Sequence, residues 1–287
     1  MTTLNKKSGV TLLELSIVLI VISSLTVIVI GAGKLVELSR LVRARSLTSK
    51  SPIDTIAGLV FWVEPTLKIS LTINEALEGE SVSVWNDLSP TSSPIDLSQN
   101  SAGLKPTFRK SAINKLPALE FDSNDYIESA TYAIHPSDKT YTIIAVWQPI
   151  TASGSDSLIA GNGKKYIATS SSNNHGIISH ISGSSVDELY PTTYAVGTPY
   201  ISTYVANDHI TNSNLYVNGV SYNVLNATVD PQMNSETSST VSIGSNIGAI
   251  SSANAYIAEV IIYDHAIKTL DRQIVEKYLS DKYDINI

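Results

Sequence analysis

No cysteine occurs among the 287 residues, so neither a disulfide nor a thiolate metal site is available to the chain, and any compartment remains open to it. If it is exported, it must hold together by packing alone. Charge is also scarce: 16% of residues are Asp, Glu, Lys or Arg, and acids outnumber bases to give a net charge of -7. Seven of the nineteen Lys and Arg residues lie in the first fifty positions, which leaves the remainder clearly acidic. A phosphate backbone demands a basic face, so no nucleic-acid partner is expected. Apolar residues make up 43%, too many for a disordered chain and enough for a sizeable core plus one hydrophobic segment.

That segment is at the start. Leu15 to Gly33 is an uncharged, mostly apolar run, and backward to Val10 only Glu14 interrupts it. At about 1.5 Å per residue such a run is long enough for a hydrocarbon core of roughly 30 Å. Leu35, Leu38, Leu41 and Val42 continue at helical spacing beside Lys34, Glu37, Arg40 and Arg43, which predicts one rod from Val10 to about Leu47. Pro52 and Gly58 then mark a linker over 48–58.

From Leu59 onward the pattern changes to short β-rich runs between Ser, Asn, Gly and Pro clusters, among them "GLVFWV", "YTIIAVW", "NLYVNGVSYNV" and "YIAEVIIYD". Such spacing predicts an all-β sandwich or barrel. Asn218-Gly219 is a two-residue hairpin signal. One helix closes the chain, with Thr269 as its expected cap and Leu270, Ile274, Tyr278 and Leu279 on one face.

Two resemblances follow from quoted residues. "KKSG" followed by "VTLLE" resembles the processing site of type IV pilins and pseudopilins. That resemblance implies a leader over 1–9 cut between Gly9 and Val10, methylation of the new amino terminus, and a filament-assembly role for Glu14 against a neighbour's terminal amine. It further implies prepilin peptidase, other pilins or pseudopilins and the inner-membrane assembly platform as partners. The location implied is a single-pass inner-membrane precursor with its C-terminal domain outside the cytoplasm, then a pilus, pseudopilus or cell surface. In the second, "GLVFWVEP", "VSVWNDLS", "PALEFDSNDYIES", "NLYVNG" and the closing "YIAEVIIYDHAIKTLDRQIVEKYLSDKY" are similar to landmarks of concanavalin A-like, laminin-G-like jelly rolls. The expected fold class is therefore mainly β: a transmembrane or filament helix (membrane segment about 15–33) followed by an antiparallel jelly-roll sandwich over 59–287 with a C-terminal helix. A minor pilin or pseudopilin-like subunit displaying a lectin-like, adhesive domain is the expected function. Two alternatives stand beside it, a structural initiator of a secretion or pilus filament and a membrane-tethered glycan hydrolase.

Candidate chemistry in the body is sparse. Asp122, Asn124 and Asp125 in "FDSNDYI" offer hard oxygens of the type calcium prefers, and a polar turn explains them equally. Trp62, Trp85 and Trp147 lie in apolar runs and are expected in the core, whereas Tyr190 and Tyr194 in "ELYPTTY" are candidates for a surface facing a glycan or surface protein. Glycosidases of this architecture need two carboxylates roughly 5–9.5 Å apart. "NEALEGE" at Asn74–Glu80 and a lone Glu259 supply no facing pair, so no enzyme is expected.

Overall fold

In the computed structural model, residues 12–122, 124–130, 140–152, 156–161, 166–169, 174–180, 186–223, 240–245 and 252–287 are described. The chain opens with α1 (Leu12–Thr48) and ends with α2 (Thr269–Tyr283). Between them run β1 (Leu59–Val63), β2 (Val84–Trp85), β3 (Leu97–Ser98), β4 (Thr107–Ile113), β5 (Leu116–Asp122), β6 (Ile127–Ser129), β7 (Thr140–Pro149) and β8 (Asp156–Gly161). There follow β9 (Tyr166–Thr169), β10 (Asn174–His180), β11 (Val186–Thr193), β12 (Tyr200–Asn207), β13 (His209–Val217), β14 (Val220–Asn223), β15 (Val241–Ile243) and β16 (Asn254–Tyr263).

The strands form two antiparallel sheets. The first has the order β14-β13-β12-β7-β16-β5-β4, and the second β11-β10-β9-β8-β15-β6-β3-β2. In the first sheet β16 is shared along one edge: its first half pairs with β5 and its last residues with β1. The hairpin between β13 and β14 turns at Asn218 and Gly219, both at positive φ (47° and 77°), the geometry that a type I′ turn requires. Asn218 also locks the turn to β12, because the N–H of Ile201 donates to its Oδ1 at 2.8 Å.

The apolar runs of β7 and β16 reflect burial on both faces. Tyr141, Ile143, Ala145 and Trp147 point between the sheets, where they meet Phe61, Leu97, Phe121, Ile127 and Ile243. Ile144 and Val146 point the other way, into a second core made with Ala44 of α1 and Val275, Tyr278, Leu279 and Tyr283 of α2. The first sheet is thus roofed by both helices. Trp62, Trp85 and Trp147 are buried, at 7%, 0% and 0% exposure, in line with the sequence reading.

The observed architecture is a mainly-β sandwich with a helix at each end, and it corrects the amino-terminal expectation. α1 is a continuous 37-residue helix, about 55 Å long. Among the described residues, however, no helix is long and apolar enough to cross a membrane. The membrane segment expected over 15–33 is withdrawn on that finding. With it go the prepilin leader, the methylated filament terminus, the peptidase, pilin and assembly-platform partners, and the single-pass inner-membrane location. The last turns of α1 instead dock on the sandwich. Ala44 and Thr48 are buried, Arg40 donates to the Asn114 carbonyl at 2.8 Å, and Arg45 donates to the Thr66 carbonyl at 2.7 Å. Gly9, Val10 and the side chain of Glu14 lie outside the described residues. The segment 48–58 is more than a tether, since Ile53 is fully buried and its carbonyl accepts the Tyr263 hydroxyl.

The face of α2 also differs from expectation. Leu270 and Ile274 are exposed, at 72% and 49%, while Arg272, Glu276 and Lys282 are buried. Thr269 is the first helical residue rather than the cap, a position held by Lys268. Tyr278 and Leu279 are buried as expected, so apolar periodicity fails only over the first turns, because the buried face there carries charges that find partners within the fold.

Candidate functional site

Three groups of polar residues stand out from the sandwich, each placed by the strands that carry it. The first is buried under α2. A β-bulge between Ile257 and Glu259 puts Ala258 and Glu259 together on the helix side of β16, opposite Val146 of β7. Lys282 of α2 reaches down with Nζ 2.8 Å from Glu259 and 2.9 Å from Glu64, and all three side chains are fully buried. The remaining carboxylate capacity is filled. The indole N–H of Trp62 donates to Glu259 at 2.8 Å, while the backbone N–H groups of Thr66 and Leu67 donate to Glu64 at 2.9 Å. Burial pushes the Glu259 carboxyl up against the pull of Lys282, and the two carboxylates hold the Lys282 ammonium well above its usual range despite burial.

Glu259 has no facing carboxylate near it in sequence; the fold provides Glu64, on the far side of one lysine. A carboxylate pair sealed under a helix and neutralised by Lys282 cannot reach a substrate, so this trio fastens α2 to the sheet. No short-range signal marks it, because Glu64 and Lys282 are 218 positions apart.

The second group is the acidic turn between β5 and β6, which carries the chain from one sheet to the other. Asp125 is 5% exposed and its Oδ2 accepts the N–H of Asp122 at 3.2 Å. The Asn124 N–H donates to the Asp122 carbonyl, and its side-chain amide donates to the Gly103 carbonyl at 3.2 Å. These bonds are those of a polar turn. Among the described residues no group of three or more His, Asp or Glu is placed to hold a metal ion.

The turn still has a titration signature. Burial first, then the neighbouring Asp122 carboxylate, raises Asp125 from 3.8 to about 7. Between the ordinary carboxylate range and about 7 the folded state therefore keeps a proton that the unfolded chain releases, and stability falls as pH rises through that window. Asp125→Asn retains the acceptor for Asp122 and removes the charge. Its melting temperature relative to the parent is expected to climb from pH 5 to pH 8; parallel pH profiles for the two proteins would refute the assignment.

The third group lies on the outer face of the second sheet, where neither α-helix packs. Leu97, Ile127, Val241 and Ile243 point inward, so their neighbours Ser98, Glu128 and Ser242 point outward. Ser242 pairs with Glu128 and Glu128 with Ser98, which aligns the three across adjacent strands about 4.8 Å apart. Ser98 is exposed and Glu128 half-buried; Ser242 is fully buried and donates to the Ser245 carbonyl at 2.8 Å.

The aromatic candidates separate. Tyr194 is 5% exposed, with its ring edge-on to Trp147 at 5.7 Å, so its surface is spent in the core rather than on a ligand. Tyr190 is a backbone position of β11, and its side chain lies outside the described residues.

A profile of the concanavalin A-like lectin/glucanase superfamily matches residues 121–271, just over half of the chain. No curated protein matches the sequence. Among solved structures, domain 4 of the extracellular arabinanase AbnA from Geobacillus stearothermophilus, in complex with arabinotriose, is similar at 12% identity. Its TM-score is 0.52, and the match covers 76% of this chain and 97% of that one. The Trypanosoma rangeli sialidase bound to the inhibitor DANA is similar at 12% identity and a TM-score of 0.48, with 86% of this chain and 39% of the sialidase covered. The chain thus spans well under half of the sialidases it matches, and at these identities the likeness concerns the fold. Because a domain of the arabinanase AbnA shares the fold, the expectation of a chain without enzymatic activity is withdrawn as a firm exclusion. By the profile match, supported by the two-sheet architecture, the chain belongs to the concanavalin A-like lectin/glucanase superfamily.

Proposed function

We propose that the protein is a carbohydrate-binding module that takes a glycan across the outer face of the second sheet and serves adhesion to glycan-bearing surfaces. The observation that carries this reading is the outward pair Ser98–Glu128 on the adjacent strands β3 and β6. It offers hydrogen-bonding groups at strand spacing on the face that the helices leave alone. Glycan hydroxyls need donors and acceptors fixed by a rigid scaffold, and adjacent strands hold Ser98 and Glu128 without loop entropy. Membership of the superfamily supports the ligand class.

A glycan array probed with the full chain tests this directly. Retention of at least one glycan class is expected, with Glu128→Ala weakening it at least tenfold while leaving the melting curve unchanged. An array on which nothing is retained, or on which Glu128→Ala binds like the parent, defeats the proposal. Chromatography of retained glycans after incubation shows whether any is cleaved.

A further inference from the structure

On the opposite side of the molecule a groove of about 410 Å³ runs between the second half of α1 and the sandwich, within the range of small-molecule sites. Its floor is aliphatic, with Leu38 and Leu41 from the helix and Pro65, Leu67, Ala76 and Pro117 from the body. Phe108 also lines it but is only 4% exposed, so the groove has no broad aromatic platform for a pyranose ring. Its rim is cationic. Lys34, Arg45, Lys68 and Lys110 line the groove, against Glu37 as the one carboxylate among the described lining residues. In a chain of net charge -7 this is a local inversion of sign.

The cations are poised rather than consumed. Arg45 spends Nε on the Thr66 carbonyl, which fixes its guanidinium at the wall. Lys34, Lys68 and Lys110 have no side-chain hydrogen bond or ion pair among the described residues. The wall is rigid, because Thr66 is tied through Glu64 to the buried Lys282. An apolar trough with unneutralised ammonium groups at its lip matches one kind of solute, an apolar body with a negative head.

We propose that this groove binds a small amphipathic anion, a free carboxylate or sulfate with a short aliphatic chain. The chain lies along Leu38, Leu41 and Leu67, and the head is held by Lys68, Lys110 and Arg45. The site is separate from the glycan-facing sheet, and either can fail without the other.

Sodium decanoate, titrated calorimetrically below its micelle concentration into the full chain at low salt, is the probe. One saturable site is expected, with decanol and acetate each at least tenfold weaker and affinity falling as salt rises. Lys68 and Lys110 are exposed, so the double variant Lys68→Glu/Lys110→Glu should fold normally and bind decanoate at least tenfold more weakly. Ala76→Trp, which fills the trough, should also abolish binding. Four results overturn the proposal: no saturation, equal binding of decanol, a charge-reversed variant that binds like the parent, or adsorption to anionic vesicles without binding of monomeric decanoate.

Discussion

Lys282→Met should lower the unfolding free energy by about 3–5 kcal/mol, the loss expected when one partner leaves a buried ion pair and strands the other. Here two carboxylates are stranded, since Glu64 and Glu259 both lie at 0% exposure with Lys282 Nζ between them. Methionine fills much of the lysine stem, so a cavity contributes little, and the electrostatic component dominates. Two further measurements separate this from simple loss of packing. Without Lys282 the carboxylates are neutralised most cheaply by protons, which the folded state then binds more tightly than the unfolded one. Stability of the variant should therefore fall with rising pH, and the deficit should be larger at pH 8 than at pH 5. Adding Glu64→Gln and Glu259→Gln to Lys282→Met removes the stranded charge and should recover more than half of the loss. Urea titrations of the three proteins at both pH values decide it. A deficit below about 1 kcal/mol, or one independent of pH, would show that water or rearrangement already satisfies the carboxylates.

The same trio explains how far the sequence could be read. Strands buried on both faces announce themselves, as in the run Tyr141–Trp147, and a type I′ turn announces itself through Asn218-Gly219. Both signals are local. The position of α2 is not, because its buried face mixes Val275 and Leu279 with Arg272, Glu276 and Lys282. Each of these charges is admitted by a distant group. Glu276 accepts the Thr203 hydroxyl at 2.8 Å and pairs with Arg272, whose guanidinium sits 3.7 Å above the Tyr216 ring. A pattern search that scores charge as exposed recovers Tyr278 and Leu279 but assigns Leu270 and Ile274 to the buried face in place of Arg272 and Glu276. The amino-terminal helix shows the opposite failure. Its apolar run is legible as a helix, but among the described residues no helix is long and apolar enough to cross a membrane, and its last turns are fixed to the sandwich through Arg40, Ala44 and Arg45. On the outer face of the second sheet, alternation of Leu97 with Ser98 and Ile127 with Glu128 was readable. What was not readable is that β3, β6 and β15 lie side by side, since Ser98, Glu128 and Ser242 come from distant parts of the chain.

Close approach of the two sheets makes the second large effect a backbone one. Gly244 follows β15 at φ +89°, donates to the Leu158 carbonyl at 2.9 Å and accepts from Ala253 at 2.6 Å. A β-carbon there would fall 2.1 Å from Cδ1 of Phe121, a fully buried ring of β5. Gly244→Ala thus combines an unfavourable left-handed conformation, roughly 1–2 kcal/mol for an L-residue, with overpacking of a closed core, typically 1–3 kcal/mol. A loss of about 2–5 kcal/mol is expected from these two terms. Gly219→Ala supplies the comparison, because φ there is +77° but the nearest atom to an added β-carbon is Cβ of the exposed Ile287 at 3.3 Å, a far milder approach than 2.1 Å. That variant carries mainly the backbone cost, about 1–2 kcal/mol. If chemical denaturation finds the two alanine variants equally stable, Phe121 has room to move and the sheets are less tightly closed at this corner than the 2.1 Å approach requires. If Phe121→Leu relieves the Gly244→Ala deficit while leaving Gly219→Ala unchanged, the clash is located at the contact between the sheets.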